Sequence, residues 1–229
     1  MQIPDIIIAI DGFSATGKST LARKIAEAFS FLYLDSGALY RGVTLYAQEN
    51  GLISADGEIR SGALKAALAG GLDLRFTAGG TCIGDRNIEK EIRTMEVSSQ
   101  VSPISAEPYV REFVDAKLRG FAAEGRVVMD GRDIGTAVFP DAGLKIFVTA
   151  SQEVRARRRH DELAAKGERP DMDAVMANLA ERDYIDSHRD THPLRQAEDA
   201  FVLDNSQMTL SEEIAWVRGL IQGRFGILE

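Results

Sequence analysis

The run Gly12-Phe13-Ser14-Ala15-Thr16-Gly17-Lys18-Ser19 fits the phosphate-binding loop pattern G-x-x-x-x-G-K-[ST], and it limits this chain to few folds. Such a loop needs a strand to deliver it and a helix to leave from it, so that backbone N–H groups and a helix N-terminus converge on one anion. Ahead of it, Ile6-Ile7-Ile8-Ala9-Ile10 reads as a buried parallel strand. Behind it, residues 20–29 place Leu21, Ile25, Ala28 and Phe29 on one helical face. The stretch from Gly12, Phe13, Ser14, Ala15, Thr16 and Gly17 to Lys18, Ser19 and Thr20 is therefore expected to cradle a nucleoside triphosphate. Lys18 is expected on the β- and γ-phosphates, and the Ser19 hydroxyl on Mg2+.

Four further apolar runs read as core strands: Phe31-Leu32-Tyr33-Leu34, Val127-Val128-Met129, Leu144-Lys145-Ile146-Phe147-Val148 and Ala200-Phe201-Val202-Leu203. Most end in Asp, Ser or Thr, which cap a following helix or face a ligand at a sheet's carboxyl edge. Helical periodicity separates them at 37–49, 107–123, 152–166, 172–184 and 210–222. This alternation predicts an α/β fold, a doubly wound parallel five-stranded sheet with helices on both faces. It breaks once, from Leu72 to Arg93, where two β-prone runs flank Ala78-Gly79-Gly80 and predict a hairpin inserted between the second and third core strands. Beside a phosphate loop, such an insertion serves more often as a substrate clamp than as decoration.

The formal net charge of −8 opposes a nucleic-acid or membrane-surface role, which favours an excess of Lys and Arg. Cys82 is the only cysteine, and His160, His188 and His192 are scattered, so neither a disulfide nor a zinc cage is expected. No apolar run approaches membrane-spanning length, and Met1-Gln2-Ile3-Pro4-Asp5 lacks a basic leader region. A cytoplasmic protein is expected, and a monomer, since no apolar heptad appears.

The loop alone names no reaction, because the same loop serves motors, switches and kinases. A switch GTPase would carry N-K-x-D and D-x-x-G, and neither occurs. What recurs near the expected carboxyl edge is arginine. Arg41 follows Asp35-Ser36-Gly37, Arg111 opens a helix, and Arg132 lies in Asp130-Gly131-Arg132-Asp133. Arg155, Arg157, Arg158 and Arg159 follow the fourth strand, and Arg182 and Arg189 flank Asp186. Two phosphorylated substrates brought together carry about six negative charges, and guanidinium forks suit their oxygens. An acceptor phosphate is already an anionic nucleophile, so no general base is required. Asp130 closes an apolar strand and reads as the acid that orients the Mg2+ shell through water. Its other reading is a turn aspartate before Gly131.

These pieces resemble the bacterial cytidylate kinases, P-loop kinases of nucleoside monophosphates. The resemblance rests on Ile10-Asp11-Gly12, Gly17-Lys18-Ser19-Thr20, the run from Leu34 to Arg41, Glu91-Ile92-Arg93-Thr94 and Pro108-Tyr109-Val110-Arg111. It continues through the run from Asp130 to Ala142 with its D-G-R-D-x-G-T-x-V-F-P-D pattern, then Arg158-Arg159 and Glu181-Arg182-Asp183, and covers nearly the whole chain. It implies transfer of the γ-phosphoryl group of ATP to CMP or dCMP, with Mg2+, giving ADP and CDP or dCDP.

By resemblance, Arg41, Arg132 and Arg189 hold the acceptor 5′-phosphate, Arg182 its phosphate or ribose, and Asp186 the ribose hydroxyls. Ser102, Arg111 and Asp133 read cytosine, with Ser36 nearby; Ser98 and Ser99 lie close to Ser102 in sequence. Arg155, Arg158 and Arg159 belong to a lid over ATP, and Lys18, Arg132, Arg158 and Arg182 form the catalytic set. Arg157 reads as a solvated helix residue, and Asp204-Asn205-Ser206 as the loop beside adenine. The implied organisation is a core of 1–36, 124–154 and 170–229, an acceptor-binding region with the hairpin at 37–123, and a helical lid at 155–169. Phe13 stands where the family commonly has Pro, at a position expected to offer only backbone to phosphate. Ala15-Thr16 replaces a Gly-Ala pair at no expected chemical cost. The rival readings are a kinase for UMP, AMP or shikimate, and a nucleotide-binding module without turnover.

Overall fold

The β-branched runs become strands because residues buried on both faces of a sheet have no polar side to offer. A computed structural model describes residues 3–77, 79–123, 125–165, 167–169 and 171–226. Outside them lie residues 1–2 and 227–229, Ala78 of the expected hairpin turn, Lys166 of the expected lid, and Glu124 and Pro170 at expected boundaries.

In chain order the elements are β1 (Ile7–Gly12), α1 (Lys18–Phe29), β2 (Leu32–Asp35), α2 (Ser36–Glu49) and α3 (Ser61–Ala69). Then come β3 (Leu74–Thr77), β4 (Gly80–Ile83), β5 (Arg86–Asn87), a 3₁₀ turn (Glu91–Arg93), α4 (Met95–Ala106) and α5 (Pro108–Phe121). After β6 (Val127–Gly131), a π-helix (Ile134–Val138) and β7 (Leu144–Thr149), the chain ends with α6 (Gln152–Ala165), α7 (Met172–His188), β8 (Phe201–Asp204) and α8 (Leu210–Phe225).

These elements form two units, one of Met1–Leu34, Ala122–His188 and His192–Glu229, the other of Asp35–Phe121 with Arg189–Thr191. The first is built on a parallel five-stranded sheet in the order β2-β6-β1-β7-β8. The α/β class read from the sequence is the architecture observed. Ile8 and Ile10 of β1 join Val128, Ile146, Val148 and Leu203 on one sheet face, where Leu21, Ile25 and Phe29 of α1 and Val217 and Ile221 of α8 cover them. Each such aliphatic side chain contributes about 1.5–3 kcal/mol on burial. Strand alternation turns the next residue, Asp11, to the opposite face. In register, Ile10 faces Asp130 of β6, so the β1 strand delivers the phosphate loop beside that acid. Gly12 closes the strand at φ 154°, and a Cβ there would lie 2.1 Å from the Val148 carbonyl oxygen, so only glycine fits. The Thr209–Glu212 capping box fixes the start of α8.

In the second unit the hairpin gains a third strand: β3, β4 and β5 form an antiparallel sheet, with Gly84 at φ 56° in the second turn. Two of its helices, α3 and α4, carry no readable sequence signal. Helix α4 is rich in Ser and β-branched residues and contains Pro103, all poor helix formers, and is held by Val97, Val101 and Ile104 on its buried face. Helix α3 buries only Leu64 and Leu68, too few positions to show a period.

Candidate active site

The phosphate loop is closed on itself and tied to three elements of its own unit. Lys18 Nζ donates to the Phe13 carbonyl at 2.9 Å, and Thr16 Oγ1 donates to the same oxygen at 3.2 Å. Ser19 Oγ donates to Asp130 Oδ2 at 2.6 Å, and the Tyr33 hydroxyl donates to Asp130 Oδ1 at 2.8 Å. Ser19 and Asp130 thus present hard oxygen donors side by side, a set that suits Mg2+ and not a thiophilic metal. The loop's shape has a conformational cost where none was expected, because Ala15 sits at φ 59°, in the left-handed region that favours glycine. Phe13 offers more than backbone: its ring packs edge-on against Phe147 at 5.9 Å, and the Arg155 guanidinium stands over it at 5.4 Å.

Around this loop the first unit gathers most of the expected cations. Arg132 donates through Nη2 to Ser14 Oγ and through Nε to Asp186 Oδ2, both at 2.8 Å. Burial pulls this guanidinium down, but Asp186, Asp183 and Asp130 outweigh burial and hold it above the ordinary arginine value. Arg155 donates to the Ser14 carbonyl at 3.2 Å and pairs with Asp183, which also accepts from the Ser14 N–H. Arg158 lies against the loop's other end, donating to the Thr16 carbonyl at 3.0 Å and to Asn205 Oδ1 and O. Arg159 pairs with Glu162 on its own helix, and Arg157 is exposed.

Arg182 is the exception. It is 8% exposed, makes no ion pair, and its Nε is buried without a hydrogen-bond partner among the described residues. Burial first, and the like charge of Arg132 second, pull its guanidinium down to about 10, while Asp186 offsets this in part. Two buried guanidinium groups that repel one another are stable only if something else repays the cost, and an anion does so.

The second unit holds the other expected residues. Arg41 donates to Ser98 Oγ at 2.7 Å, so Ser98, near Ser102 in sequence, is its partner. Arg111, 1% exposed, donates to the Ser105 carbonyl at 3.1 Å and lies over the Tyr40 ring, while Ser105 Oγ donates to the Ser102 carbonyl. Ser36 is buried, and Arg189 packs with this unit through the Arg189–Thr191 segment. Asp133, in the first unit, is 3% exposed with His192 Nδ1 3.8 Å away.

Three residues of this neighbourhood, Asp11, Tyr33 and Asp183, went unread in the sequence as site residues. Asp183 ties Arg155 to the loop, and Tyr33 holds Asp130. Asn205, expected in the loop beside adenine, is fully buried and donates to the Thr16 carbonyl at 2.8 Å. Asp11 is buried and accepts from two backbone N–H groups beyond Asp133; burial pushes its carboxyl up to about 7 against those donors. Only Asp11 and Asp183 carried a sequence signal, as members of the Ile10-Asp11-Gly12 and Glu181-Arg182-Asp183 matches.

The family model described as cytidylate kinase matches residues 8–222. A cytidylate kinase of Bacteroides thetaiotaomicron is 49% identical over 220 residues, covering 93% of this chain and 94% of that protein. One from Flavobacterium johnsoniae is 44% identical over 220 residues, covering 94% and 96%. Among solved structures, a shikimate kinase from Bacteroides thetaiotaomicron is similar at TM-score 0.48 and 12% identity, covering 95% of this chain and 98% of that one. With a loop of the phosphate-binding pattern, an oxygen-donor pair beside it and a match over nearly its whole length, the chain belongs to the cytidylate kinase family.

Proposed function

We propose that this chain is a phosphotransferase that moves the γ-phosphoryl group of ATP to CMP or dCMP, giving ADP and CDP or dCDP. The observation that carries this reading within the first unit is Arg182, a buried cation beside Arg132 with no carboxylate paired to it. A structural arginine finds a protein acceptor; this one is arranged for an anion that arrives.

The ATP phosphates are assigned to the loop residues Gly12 to Thr20, with Arg155 and Arg159 from the proposed lid, 155–169. Lys18, Arg132, Arg158 and Arg182 are assigned the charge that develops on the transferring group, Arg158 acting from its seat on the Thr16 carbonyl. The acceptor is assigned to Arg41, Arg132, Arg182 and Arg189 at its phosphate and Asp186 at its ribose. Ser36, Ser102, Arg111 and Asp133 are assigned to its base, where a carboxylate can accept from the exocyclic amine of cytosine. Ser19 directly, and Asp130 through water, would hold Mg2+, which screens the phosphate oxygens when bound. The protein's own work is to place the acceptor phosphate in line and to exclude water, with no proton abstracted by a side chain.

No helix among the described residues is long and apolar enough to cross a membrane. The proposed setting is the cytoplasm, as a monomer with small-molecule substrates and neither nucleic-acid nor membrane partners. A coupled assay of ADP release with CMP, dCMP, UMP and AMP tests the proposal. Fast, Mg2+-dependent turnover with CMP or dCMP and slow turnover with AMP is expected. Preference for AMP, or no ADP above the ATP-only blank, overturns it.

A further inference from the structure

Asp11 has no part in the roles assigned above, yet it sits in an expensive place. Its carboxylate is 5% exposed, on the face of β1 opposite Ile10. A buried acid in a sheet interior costs more than the aliphatic residue that would otherwise fill it, so its retention calls for a task. Both oxygens are engaged: Ile134 N donates to Oδ1 at 2.8 Å, and Gly135 N donates to Oδ2 at 2.7 Å.

Those two amides open the π-helix Ile134–Val138, whose first N–H groups have no partner inside the helix. A helix is ordinarily capped by the residue before it, but here that residue is Asp133, whose side chain makes no cap hydrogen bond. The cap comes from a neighbouring strand instead. A five-residue π-helix has weak internal bonding, so an external fork with two short, charge-assisted bonds decides where its first turn lies. Asp11 is also the register partner of Gly131, which places the fork against the β1–β6 pair at the point where Arg132 and Asp133 leave the sheet.

We infer that Asp11 is a positioning residue for acceptor selectivity: it clamps the turn carrying Arg132 and Asp133 to the strand that delivers the phosphate loop. The inference rests on the proposed reading of Asp133 as the residue that recognises the cytosine amine.

The test compares kcat/KM for CMP and UMP in three variants of the full-length protein. Asp11→Asn keeps the shape but turns an amide N–H toward one of the two backbone donors, and should lower the CMP:UMP ratio about tenfold or more. Its KM for ATP should change by less than about threefold, since the loop's own contacts remain. Gly135→Ala strikes the same contact from the other side, because its Cβ would meet Lys145 Cδ at 3.0 Å and Asp11 Oδ2 at 3.3 Å. The same fall in the ratio is expected, and this variant decides alone if Asp11→Asn does not fold. Asp133→Ala is the reference. A changed ratio in Asp133→Ala with an unchanged one in both clamp variants overturns the inference and leaves the reading of Asp133 intact. An unchanged ratio in all three overturns both. A lowered Tm in Asp11→Asn with the ratio intact makes Asp11 merely structural, which also overturns the inference.

Discussion

Replacing Arg182 with Met should stabilise the unliganded protein while crippling the reaction, a pairing that a structural arginine would not give. Burial and the charge of Arg132 pull the Arg182 guanidinium down to about 10, well below the ordinary arginine value. The charged form is thus less favourable in the folded chain than in the unfolded one. That cost is fully present at pH values below 10 and fades only as pH rises toward the unfolded value, so at neutral pH the protein bears all of it. A gap of this size corresponds to about 3 kcal/mol. Met keeps most of the apolar stem and fills the space without a charge, so Arg182→Met should recover about 1–3 kcal/mol. For a chain of this length each kcal/mol raises Tm by about 2–4 °C. The same change removes the donor proposed for the transferring phosphoryl group or its acceptor, and kcat/KM for CMP should fall about a hundredfold or more. Thermal melts at pH 7, with and without CMP, and steady-state kinetics on the same preparations read both effects. CMP should raise the Tm of the parent protein more than that of the variant. A variant that melts lower than the parent and turns over normally would refute the reasoning, since Arg182 would then serve the fold.

Lys18→Ala should lower kcat about a hundredfold or more while circular dichroism stays unchanged, because Lys18 is the cation proposed for the phosphates and its Nζ contact on the Phe13 carbonyl lies within the loop. Parent-like turnover in folded Lys18→Ala would remove the loop from the mechanism. Tyr33→Phe deletes a donor on Asp130 and should raise the free Mg2+ needed for half-maximal rate by about three- to tenfold, with KM for CMP unchanged. Identical Mg2+ titrations would show that Tyr33 does not orient Asp130. Ala15→Gly relieves the left-handed backbone at φ 59° but frees the unfolded chain, and the sum should raise stability by about 0.5–1 kcal/mol in a urea melt. A loss of stability would mean that the Ala15 methyl group makes contacts worth more than the strain.

The core of the fold was legible because it is written in a repeating code. Five short apolar runs and a loop of fixed spacing specify the strands and their carboxyl edge, and the observed strands lie within two residues of the expected ones. Helix α4 was not legible, because Ser98, Ser99, Ser102 and Pro103 oppose helix locally and only the surrounding packing overrides them. The π-helix was equally hidden, since its five residues span too short a stretch to show any period.

A similar divide runs through the site. Lys18, Ser19, Asp130, Arg132 and Arg182 could be nominated from the sequence because charge and hydroxyl chemistry restrict such positions to a few residue types. The residues that were missed mostly act on backbone atoms instead, Asp11 on the Ile134 and Gly135 amides and Asp183 on the Ser14 amide, as Asn205 does on the Thr16 carbonyl. A backbone amide is supplied by every residue but proline, so such a contact leaves no complementary letter in the sequence and no fixed spacing. Yet these contacts fix the shape on which the legible residues depend. Asn205 and Arg158 together occupy the Thr16 carbonyl, and the Gly17 N–H of the same trans peptide points the opposite way from that oxygen. Substitutions at Asn205 or Asp183 should therefore resemble loop mutations in their kinetics, though neither residue belongs to the loop.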